Sequence, residues 1–284
     1  MSVTLVVNAD DFGITPGASD AIVACHLAGS VTSTTLMSSM DAAPYAVELA
    51  QRHPSLGVGL HFNLTLGRPL GGEGDVTSLV GPDGEFLSRG ELIRGCLFGK
   101  VDARQVANEL ELQYLRMREL GLMPTHVDSH QHVHVTPLVF DVVAAFAARE
   151  RIPLRMPWRW QGSIAGKSMR RRAREFLLDR ALHRCASRKP KQVPSNDGFC
   201  SVFDLDVEPS KLTLDSYSQL LQPYRHGVVE LMVHPADVDE VLAGRTAITA
   251  VSDVENRLLR SPQFATHMTA LGWKLESYRH FSST

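Results

Sequence analysis

The chain has 284 residues, of which 44% are hydrophobic and 21% charged, and its formal net charge is −2. These proportions are ordinary for a globular protein and exclude collagen-like, low-complexity and disordered classes. No run of about 18 apolar residues occurs, so no membrane span is expected. The amino-terminal sequence has no basic segment and reaches acidic residues by position 10, unlike a signal peptide, and the four cysteines form no CxxC pair. We therefore expect free thiols and a cytoplasmic location.

Short apolar runs alternate with helical stripes along most of the chain. The predicted strands cover residues 3–7, 31–36, 56–64, 125–128, 152–156 and 228–233. The predicted helices cover residues 18–27, 43–52, a stretch from about 102, 139–151, 252–260 and 262–271. This alternation is typical of an α/β fold with a parallel sheet and right-handed crossovers. We predict one domain over residues 1–284.

The helix that follows Asp102 has one apolar face, formed by Val106, Leu110, Tyr114 and Met117. Glu109 and Glu111 are predicted on its other faces, so this helix is expected to cover the sheet on one side only. The glycine-rich, polar residues 67–84 that precede it predict a long loop.

A basic segment between Lys167 and Lys191 contains ten Lys and Arg residues against two acidic ones. Such a run can bind nucleic acid or an acidic surface, or it can form a solvated helix. No aromatic platform accompanies the charges, which favours the helix, so neither nucleic acid nor a membrane is expected as a partner. We predict an inserted basic helical excursion at about 160–200. Trp158 and Trp160 precede it, and a substrate lid on which a sugar ring stacks is the alternative role for this segment.

Chemically reactive side chains follow four of the predicted strands. They form clusters at residues 8–13, 61–63, 125–134 and 230–235. In parallel α/β folds the carboxyl ends of the strands form the active face, so we expect these four clusters to converge in space.

Asp10 and Asp11 end the first apolar run, where unpaired buried carboxylates would be costly. A helix N-cap is the alternative role, but the next helix is expected to start near Pro16 with Thr15 as its cap. Adjacent side chains on a strand point to opposite sides. We therefore predict different roles for the two carboxylates, one holding a metal and the other accepting a proton from water.

Four of the twelve histidines fall within nine residues, and with Asp128 they occupy alternate positions, namely His126, His130, His132 and His134. A continuing strand would place all five side chains on one face. Same-face neighbours lie about 6.6 Å apart, whereas ligand atoms lie about 2.0–2.1 Å from a metal ion. One or two of these histidines are therefore predicted to be ligands, and the others to support or pack around them.

His61 lies in an apolar strand, where it is either a core histidine or a metal ligand. A set of one Asp and two His leaves coordination positions open for water, as catalytic metal sites do. His234 is a third ligand or a general acid, and Glu230 is a site residue or a buried salt-bridge partner. The GxSxG, GxxxxGK[ST] and GxGxxG motifs are absent from the sequence, which argues against serine hydrolases, P-loop NTPases and dinucleotide enzymes.

Five blocks of the sequence together resemble the YdjC-like carbohydrate deacetylases, the family of chitooligosaccharide deacetylase. The blocks are VNADDFG (7–13), GSVTSTTLM (29–37), PSLGVGLHFNLTLGRPL (54–70), PTHVDSHQHVH (124–134) and VELMVHPA (229–236). They cover both ends of the chain in family order, whereas the basic segment in the middle matches no family motif.

The resemblance implies a deformed (β/α) TIM-like barrel of the glycoside hydrolase and deacetylase type. It further implies one divalent metal ion, zinc or magnesium, and hydrolysis of the N-acetyl group of an amino sugar. Asp11, His61 and His130 match the metal ligands and Asp10 the catalytic base, while His234 matches a catalytic histidine more loosely. Because family members are often dimers, a homodimer is expected.

Three more residues, Asn63, Arg155 and Glu230, are predicted to bind the substrate. Two other functions stay open at this point. One is a metal-containing sugar-binding protein without turnover. The other is a metal-dependent hydrolase of another amide or of a phosphoester, although phosphoester hydrolysis would require a second metal and more carboxylates.

Overall fold

The computed structural model describes residues 3–162 and 169–282 of the chain. Its strands form one curled, all-parallel sheet in the order β4-β3-β2-β1-β6-β5, and β7 pairs with the beginning of β1. The strands are β1 (Val3–Phe12), β2 (Ser33–Leu36), β3 (Gly57–Phe62), β4 (Val127–Ser129), β5 (Gly198–Ser201), β6 (Val228–Val233) and β7 (Trp273–Leu275).

Helices connect the strands and pack against the sheet. They are α1 (Pro16–Leu27), α2 (Ala43–Arg52), α3 (Arg89–Leu97), α4 (Ala103–Glu119), α5 (Pro137–Glu150), α6 (Met169–Arg188), α7 (Leu214–Leu221), α8 (Glu240–Arg245), α9 (Thr249–Leu259) and α10 (Gln263–Ala270). This arrangement is a deformed (β/α) barrel, which confirms the predicted fold class. Among the described helices, none is long and apolar enough to cross a membrane.

The central strand β1 is buried over nine of its ten residues, as expected of a parallel strand that is covered on both faces. Helix α1 begins where the sequence predicted, because Thr15 Oγ1 accepts the Ala18 N–H at 3.1 Å. After α1, Gly29 adopts the left-handed φ of +82° that favours glycine at a helix end. Helix α2 and strand β6 have the predicted bounds.

Three predictions along the chain are wrong. The strand expected at residues 152–156 is reduced to one bridge between Val127 and Leu154. Strand β4 ends at Ser129, and a kinked 3-10 segment follows, in which Gln131 and His132 have φ of 53° and 54°. The even-numbered residues of the histidine run therefore do not share one strand face.

The third correction concerns Glu109, which was expected on an outward face of α4 but is fully buried. Its carboxylate accepts the backbone N–H groups of Leu70 and Gly71 at 3.0–3.1 Å, because the loop after β3 folds over this face of the helix. Gln113 also donates to Glu109, at 2.8 Å. Glu109 thus anchors a loop.

Within the described residues, the region of the predicted basic excursion at 160–200 contains helix α6 and the start of strand β5, and the excursion itself stays a prediction. Helix α6 buries Leu182 and Cys185, and β5 then rejoins the sheet beside β6 from residue 198. Lys167 and the rest of residues 163–168 lie outside the described residues.

Candidate metal centre and active site

Strand β1 ends in an irregularity that brings the carboxylates of Asp10 and Asp11 to the same cavity. Its register against β2 shifts between Ala9 and Phe12, and Asp11 has a φ of 67°. A left-handed φ at a residue other than glycine costs about 1 kcal/mol or more, and bulges of this kind re-aim side chains beside active sites. Both carboxylates line one cavity of about 460 Å³. The expectation that they point to opposite sides is therefore wrong.

Three ligand-type side chains meet at Asp11. Asp11 Oδ1 lies 3.2 Å from His61 Nε2 and 2.9 Å from His130 Nδ1. One carboxylate oxygen and two imidazole nitrogens are thus within 4.8 Å of one another, and all three residues are buried. They come from β1, from β3 and from the residue after β4, so the predicted convergence of the strand ends is observed here.

The surroundings of His61 test whether this trio fits a cation. His61 Nδ1 contacts Asp128 Oδ1 at 2.7 Å and Thr35 Oγ1 at 3.0 Å, which leaves Nε2 aimed at Asp11. Such a carboxylate behind a histidine is typical of metal ligands. Burial opposes protonation of His61, yet the facing carboxylates, Asp128 first, raise its pKa to about 10. The trio therefore favours positive charge, and one oxygen with two nitrogens suits a divalent ion such as zinc.

Asp10 is held by a fork of hydrogen bonds. Arg155 Nη1 donates to Oδ2 at 2.7 Å and Arg155 Nη2 to Oδ1 at 2.6 Å, and Asn8 Nδ2 donates to Oδ1 at 2.9 Å. Burial alone would raise the pKa of Asp10, but the Arg155 guanidinium outweighs it and holds this pKa below its usual value. Asp10 is therefore a fixed anion at the cavity.

Arg155 lies beneath Asp10 with none of its surface exposed. Besides Asp10 it pairs with Asp128 Oδ2 at 2.6 Å and with Glu230 Oε1 at 2.5 Å. One buried cation is thus shared by three carboxylates, and the guanidinium does not line the cavity. The structure places this predicted substrate-binding residue where it holds the Asp10 carboxylate.

The other two predicted substrate-binding residues are also buried away from the cavity lining. Glu230 is fully buried and accepts a hydrogen bond from the Tyr278 hydroxyl. Asn63 donates to the Leu66 carbonyl at 2.7 Å and accepts the backbone N–H groups of Thr65 and Leu66 at 3.1 Å. Glu230 therefore belongs to a buried ion-pair cluster, and Asn63 anchors the loop that follows it.

The remaining histidines of the run take separate positions. His126 Nε2 contacts Asn8 Oδ1 at 3.1 Å, and His134 lies between Ser129 Oγ at 2.5 Å and the Arg155 carbonyl at 3.1 Å. Burial lowers the pKa of both rings, so both are neutral supporting groups. His132 instead lines the cavity, and its Nδ1 has no hydrogen-bond partner among the described residues.

His234 also lines the cavity, at the end of β6. Its backbone N–H donates to Glu255 Oε2 at 2.6 Å, while its ring Nδ1 is without a partner among residues 3–162 and 169–282. Burial lowers the pKa of His234, although Asp10 and Asp11 act in the opposite direction. The ring is thus available for proton transfer within the cavity.

An apolar wall faces these polar groups. It contains Phe203, which is 44% exposed and contacts His234 edge-on with a centroid distance of 5.7 Å, together with Met232 and Ile248. Nothing in the sequence pattern indicated Phe203 as a site residue. Trp160, considered as a sugar platform, is 5% exposed and donates to the Leu220 carbonyl at 2.8 Å, and Trp158 donates to the Asn196 carbonyl at 2.9 Å.

The model of the YdjC-like protein family matches residues 4–270. The chain belongs to the YdjC-like family. It is 38% identical to a carbohydrate deacetylase of Geobacillus stearothermophilus, over 97% of each chain. It is also 30% identical to a chitooligosaccharide deacetylase of Yersinia enterocolitica, over 98% of this chain and 99% of that one. These matches confirm the family predicted from the sequence blocks.

A solved structure shows the same fold over the full length. It is a crystal structure from Enterococcus faecalis V583, described as a candidate cellobiose-phosphate cleavage protein, with a TM-score of 0.80 and 27% identity. The alignment covers 99% of both chains, so this chain shares its barrel and its connections with that protein.

Proposed function

We propose that this chain is a metal-dependent hydrolase that removes the N-acetyl group from an amino sugar and releases acetate and a free amine. The observation that carries this proposal is the pair of neighbouring carboxylates on one cavity. Asp11 joins two histidines in a cation site, while Asp10 is fixed as an anion by Arg155. The names of the Geobacillus and Yersinia relatives supply the acetylated carbohydrate as the substrate class.

The metal would be held by Asp11, His61 and His130. A divalent ion in such a site lowers the pKa of water and polarises an amide carbonyl. Zinc and magnesium are both compatible with this role, and the two nitrogen ligands favour zinc.

The residues of the chain carry the proton transfers. Asp10 accepts a proton from the water that adds to the acetamide carbonyl carbon. His234 then donates a proton to the departing nitrogen as the carbon–nitrogen bond breaks, which yields acetate and the amine. Phe203 and Ile248 provide an apolar wall against which a sugar ring can lie.

Phosphoester hydrolysis is less well supported by the described part of the chain. A second grouping of ligand type, formed by Asp10, His61 and Asp128, exists. However, Arg155 already pairs with both carboxylates of that grouping, at 2.6–2.7 Å. The positive charge that a second metal would supply is thus already present as a guanidinium.

Acetate release tests the proposal directly. The purified protein would be loaded with zinc or magnesium and given N-acetylglucosamine, its β-1,4 oligomers and N-acetylated glycosides, with phosphate esters in parallel. We expect acetate from at least one acetylated sugar, loss of that activity after chelation and recovery on return of the metal. Binding of these sugars without acetate release would instead identify a binding protein, and phosphate release without acetate a phosphoesterase.

A further inference from the structure

The segment after β7 contacts the amino-terminal parts of strands β1 and β2. The Glu276 N–H donates to the Leu5 carbonyl at 3.0 Å, and the Tyr278 N–H donates to Ser33 Oγ at 3.0 Å. Leu5 lies near the start of β1, and Ser33 is the first residue of β2. This path inserts Tyr278 among the strands, where it is 0% exposed.

The hydroxyl of Tyr278 begins one connection to Asp10. It donates a hydrogen bond to Glu230 Oε2, and the other oxygen of Glu230 pairs with Arg155 Nη2 at 2.5 Å. Arg155 then donates to both oxygens of Asp10, at 2.6 and 2.7 Å. Since three carboxylates compete for this guanidinium, the orientation of Glu230 helps to set where Arg155 lies.

The ring of Tyr278 begins a second connection to the same carboxylate. It stacks on His126 with a centroid distance of 3.8 Å and an interplanar angle of 10°. His126 Nε2 contacts Asn8 Oδ1 at 3.1 Å, and Asn8 Nδ2 donates to Asp10 Oδ1 at 2.9 Å. Gly59 leaves room for this stack, because a Cβ there would lie 2.5 Å from the His126 ring.

We propose that Tyr278 is a positioning residue for Asp10, the catalytic base of the deacetylation proposed above. Two independent chains of contacts start at this one buried side chain and end at the two oxygens of that carboxylate. Tyr278 lies beyond residues 4–270, which the family model matches, so the proposal adds a residue outside that match. Errors of about 1 Å in the placement of a catalytic group can cost a factor of about 100 in rate.

The test compares Tyr278→Phe with Tyr114→Phe. Tyr114 is also buried, and its hydroxyl donates to the carboxylate of Glu150 at 2.5 Å, but it lies on α4 and contacts Glu150 and Phe146 of α5 rather than the groups around Asp10. Both variants therefore lose one Tyr–Glu hydrogen bond, buried at Tyr278 and partly buried at Tyr114, and keep the ring. The measurements are kcat and KM for acetate release, bound metal per chain and the midpoint of urea unfolding.

Tyr278→Phe is expected to lower kcat about tenfold, with KM and metal content unchanged, whereas Tyr114→Phe keeps the wild-type kcat. A second variant, Tyr278→Leu, also removes the stack and is expected to lower kcat further. A kcat of Tyr278→Phe within twofold of the wild type, or an equal loss in both Phe variants, overturns the proposal. Because the wild-type protein is assayed alongside, absence of acetate release there counts against the function and not against Tyr278.

Discussion

Two sets of buried carboxylates in this chain differ in the groups that their oxygens meet. The interior cluster consists of Asp10, Asp128 and Glu230 around Arg155. The outer anchors are Glu109 on α4 and Glu255 on α9. The outer anchors accept mainly backbone N–H, amide or hydroxyl hydrogen bonds, and burial raises the pKa of both, that of Glu255 to about 8. In the interior cluster Arg155 lowers the pKa of Asp10 in spite of its burial, whereas burial raises the pKa of Glu230 to about 7 against the effect of Arg155.

This difference separates the carboxylates that anchor a loop or a strand end from the carboxylate at the candidate site. A buried carboxylate that meets neutral donors can hold a loop or a strand end in either protonation state. Asp10 accepts hydrogen bonds from both Nη atoms of a buried guanidinium, which keeps it ionised, and it also borders a cavity. Burial by itself therefore does not mark a functional acid in this protein. What marks Asp10 is the guanidinium of Arg155 that binds it together with the cavity that it lines.

Removal of Arg155 should produce the largest effect. Arg155→Met leaves three carboxylates without their cation, and loss of one partner of a buried ionic cluster costs about 3–5 kcal/mol of unfolding free energy. We also expect kcat to fall by a factor of about 100, because Asp10 loses both fork hydrogen bonds. Urea titration and acetate release measure the two quantities.

Arg149→Met serves as the matched control. Arg149 contacts Glu111 and Glu150, but its side chain is 54% exposed, so its loss should cost about 1 kcal/mol or less. Equal destabilisation by the two substitutions would show that the interior cluster is no different from a surface pair.

A pH series on Glu255→Gln tests the raised pKa of an outer anchor. The pKa of Glu255 is raised from 4.5 to about 8, so the folded chain binds this proton more tightly than the unfolded chain. Wild-type stability relative to the variant should therefore fall as pH rises from about 5 to about 8, by at most about 1.4 kcal/mol per pH unit, and then level off. Unfolding titrations at five pH values measure this, and a pH-independent difference would contradict it.

Glu109→Gln should have the smallest effect. The variant keeps one acceptor oxygen for the Leu70 and Gly71 N–H groups, so we expect a loss of about 1 kcal/mol in unfolding free energy. Because Glu109 anchors a loop far from the interior cluster in sequence and makes no contact with it, kcat should be unchanged. A tenfold fall in kcat would place Glu109 with the functional carboxylates.

Much of the fold was predictable because its strands are short apolar runs and its helices have clear boundary residues. Thr15 and Gly29 mark the two ends of α1, and the apolar run at 228–233 is β6. Strand β5 was missed because its four residues lie behind the basic segment, and β7 because it has only three residues. Short pairings of this kind are fixed by the neighbouring strand and leave little local pattern.

The site residues that lie at the ends of strands were predictable from the sequence. Asp10, Asp11, His61, His130 and His234 all line the cavity, as their positions after strands indicated. The bulge at Asp11 and the kink after His130 had no periodic signal, since both depend on left-handed backbone at residues other than glycine. Tyr278 lies 268 residues from Asp10, and only the path of the chain after β7 joins them.

The most direct test of the central claim compares Asp10→Asn with Asp11→Asn, with bound metal and kcat measured on the same samples. The account predicts that Asp10→Asn keeps its metal and its affinity for the sugar but loses a factor of about 100 or more in kcat, since the base is gone. Asp11→Asn should lose both the metal and the activity, because a charged ligand is removed. Equal metal loss in both variants, or full activity of Asp10→Asn, would contradict the division of roles between these neighbouring carboxylates.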